Sequence, residues 1–376
     1  MNIFLENNFF IYNPIKKDYN KNYLKKSVKK EKMVILAGQW EVIEKLSEGT
    51  FGQVFSALNI RTNTKVAVKR EPATIDYPQL EHERDMYSCL FQSNRNNSLT
   101  KYGNQNMNST DLRFYHRNYD KIRNQNMDRP VGIPKVFHMG VEGNWNILVM
   151  EQLGPSLRDI QNSSPTGKLS LRAVAYCGME LINRFQFIHS KGIVFRDVKP
   201  DQFCVGNVNN PRDQTIYVVD FGLSSFYRDP ITKRHIPFRK PMKSRSRVGT
   251  ARYASVNVHE GYDHTRRDDL ESLAYVLIDL AKASLPWMGI KASSSREGWA
   301  KIRMKKREAT LYEICGNLPN EFAKFLDYTR NLGFMEEPDY LYCYKLFEQL
   351  FRRLTPYNNS FNRRYGLKDR IDWIEN

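Results

Sequence analysis

The chain has 376 residues, 41% of them hydrophobic, which is enough for a sizeable core in one two-lobed domain or two small ones. Its formal charge of +17 suits an anionic partner, but no zinc-ligand spacing or aromatic-interleaved basic module points to nucleic acid, which is therefore not the expected partner. No run of about 18 apolar residues occurs, and the segment MNIFLENNFFIYNP lacks a basic lead and a continuous apolar core, so neither a membrane span nor a signal peptide is predicted.

The first segment of the chain is strongly basic. Residues 1–39 contain eight lysines and three acidic residues, and they have few periodic apolar positions. We interpret them as a basic, flexible extension before the folded domain.

The segment WEVIEKLSEGTFGQVFSAL, which starts at residue 40, is predicted to form two strands joined by a glycine turn. Gly49 and Gly52 allow the backbone to approach phosphate oxygens closely, because they have no Cβ. A Gly-x-x-Gly pair alone is more often an ordinary hairpin turn. Lys69 lies 17 residues after Gly52 and alternates with the valines of KVAVKR, so it faces away from them. This arrangement places Lys69 over a nucleotide bound at the turn.

Residues 78–91 are predicted to form a helix that carries an acidic partner for Lys69. Glu83 is the preferred partner, and Glu81 is the alternative. One opposite charge keeps such a lysine protonated and aimed at the α- and β-phosphates of a nucleotide. The residues available for burial on this helix are Leu80, Met86, Tyr87 and Leu90.

Residues 194–222 carry the most specific catalytic pattern. The sequence VFRDVKPDQF places Asp197 and Lys199 on a loop, and an apolar strand then leads into Asp220-Phe221-Gly222, 23 residues after Asp197. A carboxylate that orients a hydroxyl, a nearby lysine and a second carboxylate at a strand end are the groups needed to transfer a phosphoryl group from a metal-bound nucleotide. Either half of the pattern alone would be interpreted as an Asp-rich loop between buried strands.

The segment at residues 249–292 indicates the family. It reads GTARYASVNVHEGYDHTRRDDLESLAYVLIDLAKASLPWMGIKA and resembles the casein kinase I branch of the protein kinases, in which GTARYAS-N-H replaces the usual Ala-Pro-Glu segment. The runs VMEQLGPSLRDI, HIPFR and EFAKFLDYTRNLGF are similar to the same family, so the resemblance covers residues 40–354. It implies an α+β, two-lobed protein-kinase fold, with a small antiparallel β lobe (40–150) and a large helical lobe (151–354).

The resemblance also implies an ATP- and Mg2+-dependent serine/threonine protein kinase with roles for individual residues. Asp197 would accept or orient the proton of the substrate hydroxyl, and Lys199 would offset charge on the transferred group. Lys69, held by Glu83, would contact the nucleotide phosphates. The implied metal ligands are Asp220 and Gln202.

The nucleotide pocket is implied in the same way. Met150 corresponds to the residue at the rear of the pocket, Gln152 and Leu153 would offer backbone groups to adenine, and Asp159 would meet the ribose. The complete set of implied nucleotide contacts is Leu46, Gly49, Thr50, Phe51, Gly52, Val54, Ala67, Lys69, Met150, Glu151, Leu153, Asp159 and Phe203.

Three residues depart from the family pattern. Ser47 replaces the first glycine of the phosphate loop, and Phe195 replaces a histidine but can fill the space beneath the Asp-Phe-Gly segment. Gln202 replaces the metal-binding Asn and adds a methylene, whereas magnesium tolerates little error around a ligand distance of about 2.0–2.1 Å. The favoured interpretation is an active kinase, because the other catalytic residues are retained. A kinase-shaped binding or scaffolding protein is the alternative.

A basic run points to the class of substrate. Residues 233–252 contain eight Arg or Lys and no acidic residue, although such a run is often only a solvated surface. Casein kinase I relatives favour acidic or already phosphorylated protein substrates, and Arg252 and Gly289 match positions that frame the family's anion site. The family's lysine nine residues beyond that glycine is Gly298 here, with Arg296 and Lys301 nearby. We expect such substrates, with an altered site geometry.

Two further segments and the cellular setting complete the expectations. Residues 92–129 contain seven Arg or Lys and three Asp, and the family crosses this gap in a few residues. We interpret them as an Asn-rich insertion that is disordered or, alternatively, binds a partner. Residues 355–376 form a basic tail.

The five unpaired cysteines favour a reducing compartment, so we expect the protein in the cytoplasm. The nucleus is the alternative, because of basic stretches such as 25–32. We also expect a monomer.

Overall fold

The structure is a computed structural model, and it describes residues 34–49, 52–75, 78–91, 131–210, 212–242, 248–355 and 371–373. The predicted N-terminal extension therefore lies outside the described residues except for 34–39, and the predicted insertion at 92–129 lies wholly outside them.

The small lobe is an antiparallel sheet with one helix packed on it. Its elements are β1 (Ile35–Leu36), β2 (Trp40–Gly49), β3 (Gly52–Asn59), β4 (Lys65–Pro72), the helix α1 (Gln79–Phe91), β5 (Val136–Glu142) and β6 (Trp145–Glu151). The strands lie in the order β1-β2-β3-β4-β6-β5, so that β6 enters between β4 and β5.

The two faces of this sheet have different environments. Val66 and Val68 of β4 belong to an outer apolar cluster, which also contains Trp40, Ala57, Ile147 and Val149. Lys69 alternates with these valines and therefore faces the opposite side, where α1 packs. The predicted orientation of Lys69 is confirmed.

The predicted helix is also confirmed, and a buried carboxylate fixes its first turn. Glu71, at the end of β4, is fully buried and accepts hydrogen bonds from the backbone N–H groups of Gln79 at 3.0 Å and Leu80 at 3.2 Å. The first N–H groups of a helix have no partner within the helix, so a carboxylate there stabilises its N-terminus. All four residues predicted for burial on this helix are buried.

The large lobe is mainly helical. Its elements are α2 (Leu157–Ser163), α3 (Leu171–Ser190), β7 (Ile193–Val194), β8 (Phe203–Val205), β9 (Ile216–Val218), β10 (Ser225–Phe226), α4 (Val256–Glu260), α5 (Arg266–Lys282), α6 (Ser295–Glu308), α7 (Leu311–Cys315), α8 (Asn320–Asn331) and α9 (Tyr340–Leu354). Helix α3 lies at the centre of the core, and β8 pairs with β9 while β7 pairs with β10. The two-lobed α+β fold predicted from the sequence is confirmed.

The lobes are joined by residues 151–154 and by a side-chain contact beside them. Asn209, on the loop between β8 and β9, accepts a hydrogen bond from the N–H of Lys65 at 3.0 Å and donates one to its carbonyl at 2.9 Å. Since Lys65 opens β4, the Asn209 amide pairs with the small-lobe backbone as a neighbouring strand would. This contact attaches the large lobe to the sheet next to the connecting segment.

The folded part of the chain extends beyond both predicted boundaries. In β1, Ile35 pairs with Glu41, so the sheet starts before residue 40. Residues 371–373, in the predicted tail, pack on the large lobe: Ile371 is buried, and Ser170 donates to the carbonyl of Asp372 at 2.7 Å. Among the described residues, no helix is long and apolar enough to cross a membrane.

Candidate active site

Lys69 connects two carboxylates at the interface of the lobes. Its Nζ lies 2.7 Å from Glu83 Oε2 and 2.8 Å from Asp220 Oδ1. Glu81 points elsewhere, because its side chain is 61% exposed and pairs with Arg84 at 3.5 Å. The choice that the sequence left between the two glutamates therefore falls to Glu83.

The contact stabilises the charges of Lys69 and Asp220, whereas burial raises the pKa of Glu83. Burial alone would lower the pKa of Lys69, but the carboxylates of Glu83 and Asp220 outweigh it and hold that pKa above its ordinary value. Burial would raise the pKa of Asp220, but Lys69 and a hydrogen bond from Gln202 hold it below its ordinary value. At neutral pH the cleft therefore contains an ammonium group next to an ionised Asp220.

Asp197 is held through both of its carboxylate oxygens. Lys199 Nζ donates to Oδ2 at 2.6 Å, and Thr250 Oγ1 donates to Oδ1 at 2.8 Å. Burial opposes the charge of Lys199, but Asp197 outweighs it and raises the pKa of Lys199. The loop thus presents a fixed carboxylate with a protonated lysine beside it, as the sequence predicted for these two residues.

The backbone around both catalytic carboxylates is strained. Arg196, directly before Asp197, has φ 74°, and Asp220 has φ 66°. Non-glycine residues in this left-handed region cost about 1–2 kcal/mol each. Asp269 of α5 compensates at the first position, because its carboxylate accepts the N–H groups of Phe195 at 2.7 Å and Arg196 at 2.9 Å.

An aromatic stack runs from α1 to the catalytic loop. The ring centroid of Phe221 lies 5.0 Å from that of Tyr87 and 5.2 Å from that of Phe195. Phe195 is fully buried, so the expectation that an aromatic residue can fill the space beneath the Asp-Phe-Gly segment is confirmed. Edge-to-face contacts of this kind add about 0.5–1.5 kcal/mol beyond the burial of apolar area.

The two glycines of the predicted phosphate turn have different surroundings. Gly52 has φ 138°, and a Cβ there would lie 2.2 Å from the carbonyl oxygen of Arg70 on β4. A Cβ at Gly49 would meet nothing within 4 Å, so the space around this glycine is open. The close contact with β4 is by itself enough to require a glycine at position 52. Thr50 and Phe51, between the two, lie outside the described residues.

Four of the residues predicted to line the cleft lie on four strands of the sheet: Leu46 on β2, Val54 on β3, Ala67 on β4 and Met150 on β6. Leu46 is 44% exposed, Met150 is 8% exposed, and Val54 and Ala67 are half-buried. Exposure of Leu46 at the rim and burial of Met150 fit a cleft that narrows towards its rear. Glu151 ends β6, and its N–H donates to the carbonyl of Lys135 at 2.9 Å.

In the connecting segment, Leu153 pairs with the large lobe through the residues on either side of it. Leu153 forms an antiparallel bridge to the loop after β8, flanked by hydrogen bonds from Val208 to the Gln152 carbonyl at 3.2 Å and from Gly154 to the Gly206 carbonyl at 3.0 Å. In this type of pair, the bridging residue's own N–H and C=O point away from the partner. This geometry is compatible with the predicted contact of the Leu153 backbone with adenine, which stays a prediction, whereas the Gln152 carbonyl already accepts a hydrogen bond.

Two other predicted nucleotide contacts are placed differently from the expectation. Phe203 is fully buried with its ring 6.2 Å from that of Phe185, so it cannot line the cleft. Side chains alternate along a strand, and the half-buried neighbour Cys204 faces outward instead. Asp159 is exposed, but its Oδ2 caps α2 by accepting from the N–H and Oγ of Ser156 at 2.9 and 2.7 Å. Its contact with a ribose stays a prediction.

The two residues predicted for an anion site are linked through one tryptophan. Trp287 Nε1 donates to the carbonyl of Arg252 at 2.7 Å, and Gly289 follows two residues later, exposed and with φ 76°. Lys301, which lies near Gly298 in the sequence, has other partners: its Nζ lies 2.7 Å from Glu297 Oε1 and donates to the carbonyl of Lys291.

Comparison with known proteins agrees with this geometry. Residues 121–332 match the family described as Protein kinase domain. The chain is 38% identical over 321 residues to Casein kinase I homolog 1 of Schizosaccharomyces pombe, which covers 85% of this chain and 63% of that protein. It is 37% identical over 339 residues to Casein kinase I homolog 2 of the same organism, covering 90% of this chain and 68% of that protein.

The chain belongs to the casein kinase I family. The aligned lengths are sufficient to include both lobes, and the chain spans somewhat less than two thirds of the first of these relatives.

Within this family, Gln202 is the departure that bears on metal binding. It is buried, and its Nε2 donates to Asp220 Oδ2 at 3.0 Å, so the amide nitrogen faces the carboxylate. Magnesium takes oxygen ligands, so the amide must turn over before its oxygen can bind a cation beside Asp220. After that single rotation, a carboxylate and a carboxamide oxygen are present, and these residues fit a magnesium ion that is otherwise bound by nucleotide phosphates and water.

Three supporting residues were not assigned a role from the sequence, although two of them, Thr250 and Asp269, lie in the segment that indicates the family. Thr250 and Asp269 hold the catalytic loop, as described above. Lys306 of α6 is fully buried between the rings of Tyr275 and Trp287, at 4.7 and 4.9 Å, and donates to the carbonyls of Ala251 and Ala254. It thereby fixes the backbone on both sides of Arg252.

Proposed function

We propose that the chain is an ATP-dependent protein serine/threonine kinase that transfers the γ-phosphoryl group to hydroxyl groups of acidic or already phosphorylated proteins. The observation that carries the proposal is the contact of Lys69 with both Glu83 and Asp220, opposite an Asp197 held by Lys199. Family membership supports the reaction class. The substrate preference goes beyond both and rests on the basic segment around Arg252.

The proposed roles follow from the contacts. Lys69 binds the α- and β-phosphates, and Glu83 keeps it in place. Asp197 orients the substrate hydroxyl and takes its proton, while Lys199 offsets charge that develops on the transferred group. When bound, Mg2+ would neutralise charge on the nucleotide phosphates, and Asp220 with Gln202 would hold it. Such catalysis consists mainly of positioning, so a displacement of about 1 Å can reduce the rate on the order of 100-fold.

The substrate class is supported by the surroundings of Arg252. The buried side chains of Trp287 and Lys306 donate hydrogen bonds to the backbone carbonyls of Arg252 and Ala251. These bonds fix the backbone segment that carries the Arg252 guanidinium group. A guanidinium group binds phosphate or carboxylate in a planar, bidentate way. With Gly298 in place of the family's lysine, we expect this preference to be weaker than in a site that keeps that lysine.

The second candidate is a kinase-shaped binding or scaffolding protein. It is favoured by one observation, the Gln202 amide nitrogen that faces Asp220. If the surrounding core prevents the amide from turning, the second metal ligand is lost and phosphoryl transfer fails, while nucleotide can still bind in the cleft.

Phosphoryl transfer to casein tests the proposal. We expect wild-type protein with ATP and Mg2+ to phosphorylate casein, Asp197→Asn to abolish the activity, and the matched control Asp201→Asn, on the same loop with a side chain that is 51% exposed, to retain it. Gln202→Asn should leave the rate unchanged or raise it. Absence of transfer by wild type with Mg2+ or Mn2+, together with activity of Gln202→Asn, would establish the second candidate instead.

A further inference from the structure

A histidine of α1 contacts the segment that follows the Asp-Phe-Gly triplet. His82 Nε2 lies 2.8 Å from the carbonyl oxygen of Ser224. A carbonyl oxygen only accepts hydrogen bonds, so Nε2 carries the proton and donates it. The contact joins the small lobe to the large lobe one residue along the helix from Glu83.

This contact continues into the catalytic loop. Ser224 is buried, and its Oγ donates to the carbonyl of Phe195 at 3.4 Å. Phe195 in turn donates its N–H to Asp269 and lies two residues before Asp197. A line of hydrogen bonds therefore runs from α1 to the loop that carries Asp197, next to the aromatic stack.

The direction of the contact matters for the orientation of α1. Successive residues of an α-helix point about 100° apart, so His82 and Glu83 leave the helix in different directions. Glu83 reaches Lys69, His82 reaches Ser224, and Glu71 holds the first turn. Contacts in different directions resist rotation of the helix about its own axis, which a single pair between Glu83 and Lys69 would permit.

We propose that His82 is a positioning residue, which holds α1 at the angle at which Glu83 contacts Lys69. Its effect on turnover rests on the proposed function. Its effect on nucleotide binding does not, because Lys69 contacts phosphates whether or not they are transferred. Loss of the His82 contact should therefore weaken the binding of ATP but not that of adenosine, which has no phosphate.

The test uses the full chain and measures the affinities of ATP and adenosine by calorimetry, together with kcat on casein. We expect His82→Leu to weaken ATP binding and to lower kcat by about 2–10-fold each, the size of one net hydrogen bond, with adenosine affinity unchanged. His82→Gln, whose amide N–H reaches a similar position, should restore most of both. The matched control Glu81→Leu, on the adjacent exposed position, should behave as wild type.

A double-mutant cycle separates positioning from general stability. If His82 acts through Glu83, then His82→Leu should have little further effect on ATP affinity in a Glu83→Gln background. If His82 only stabilised the fold, His82→Leu would lower ATP affinity by the same factor in the Glu83→Gln background as in the wild-type protein. An unchanged ratio of ATP to adenosine affinity in His82→Leu, or full additivity in the cycle, would overturn the inference.

The two proposals fail in different ways. A wild-type protein that binds ATP but phosphorylates nothing would contradict the proposed function. The ratio of ATP to adenosine affinity in His82→Leu would still decide the role of His82 in that case.

Discussion

Removal of one hydroxyl should disable Asp197 without touching the nucleotide site. Thr250→Val keeps the branched shape of the side chain but deletes the donor that lies 2.8 Å from Asp197 Oδ1. The carboxylate, which is 7% exposed, would then be held only by Lys199 at 2.6 Å on its other oxygen. It would be free to turn about that remaining contact.

The expected loss follows from the charge of the acceptor. Hydrogen bonds to charged groups contribute about 1.5–3 kcal/mol net. Since about 1.36 kcal/mol of barrier is a factor of ten in rate, kcat should fall roughly 10- to 150-fold. The affinity for ATP should stay the same, because Thr250 contacts Asp197 and not the Lys69 trio.

The assay is steady-state transfer of phosphate to casein, with ATP affinity measured separately. Thr250→Ser keeps the hydroxyl and should retain activity within a few-fold of wild type. Thr329→Val, at a fully buried threonine of α8 whose hydroxyl bonds only to the carbonyl of Leu326, controls for the substitution itself. A Thr250→Val enzyme with kcat within twofold of wild type would show that the Thr250 contact does not position Asp197.

Three further predictions concern the anion site, the glycine turn and acid stability. Gly298→Lys should lower KM for a phosphorylated peptide, relative to its unphosphorylated form, by about 1.5- to 5-fold, the size of one exposed ion pair. The fold should tolerate the change, because a Cβ there meets only Ala292 Cβ at 3.6 Å. An equal effect of Tyr312→Lys on KM would contradict a local anion site. Gly52→Ala should destabilise the fold by roughly 1–3 kcal/mol in thermal unfolding because its Cβ collides with β4, whereas Gly49→Ala should not; equal melting temperatures would refute this. Burial lowers the pKa of His259 to about 3, whereas its unfolded-state pKa is about 6.5. Below pH 6.5 the unfolded chain therefore binds a proton that the folded chain rejects, and the contribution of His259 to stability should fall by about 1.6 kcal/mol from pH 6.5 to 5. His259→Gln should reduce this slope in urea unfolding, and an unchanged slope would exclude His259 as its source.

The catalytic core could be predicted because its signals are local. Strand alternation placed Lys69 on the cleft side, and helical periodicity placed an acidic residue of the next helix within its reach. The sequence favoured Glu83 and left Glu81 as the alternative, and the phase of the helix, which starts where Glu71 caps it, places Glu83 at Lys69. Periodicity defines a helix but does not fix its rotation against the sheet.

The errors and omissions come from contacts that are distant in sequence or very short in pattern. Phe203 was a contact implied by the resemblance, and the sequence could not correct it, because β8 has three residues, too few for alternation to show which side faces the core. Thr250 contacts Asp197 across 53 residues, and His82 contacts Ser224 across 142. A hydroxyl or an imidazole at such a separation has no local pattern that distinguishes it from a surface residue.

The packing of residues 371–373 has a practical consequence for where this domain can be cut. Ser170, which caps α3, donates its N–H to the carbonyl of Trp373 at 2.9 Å and its hydroxyl to the carbonyl of Asp372. The side chain of Gln214 accepts a hydrogen bond from the N–H of Ile371. A fragment that ended at α9 would lack these hydrogen-bond partners of Ser170 at the start of α3. It would also expose the apolar site that Ile371 fills. A fragment of this chain prepared for expression should therefore include Trp373.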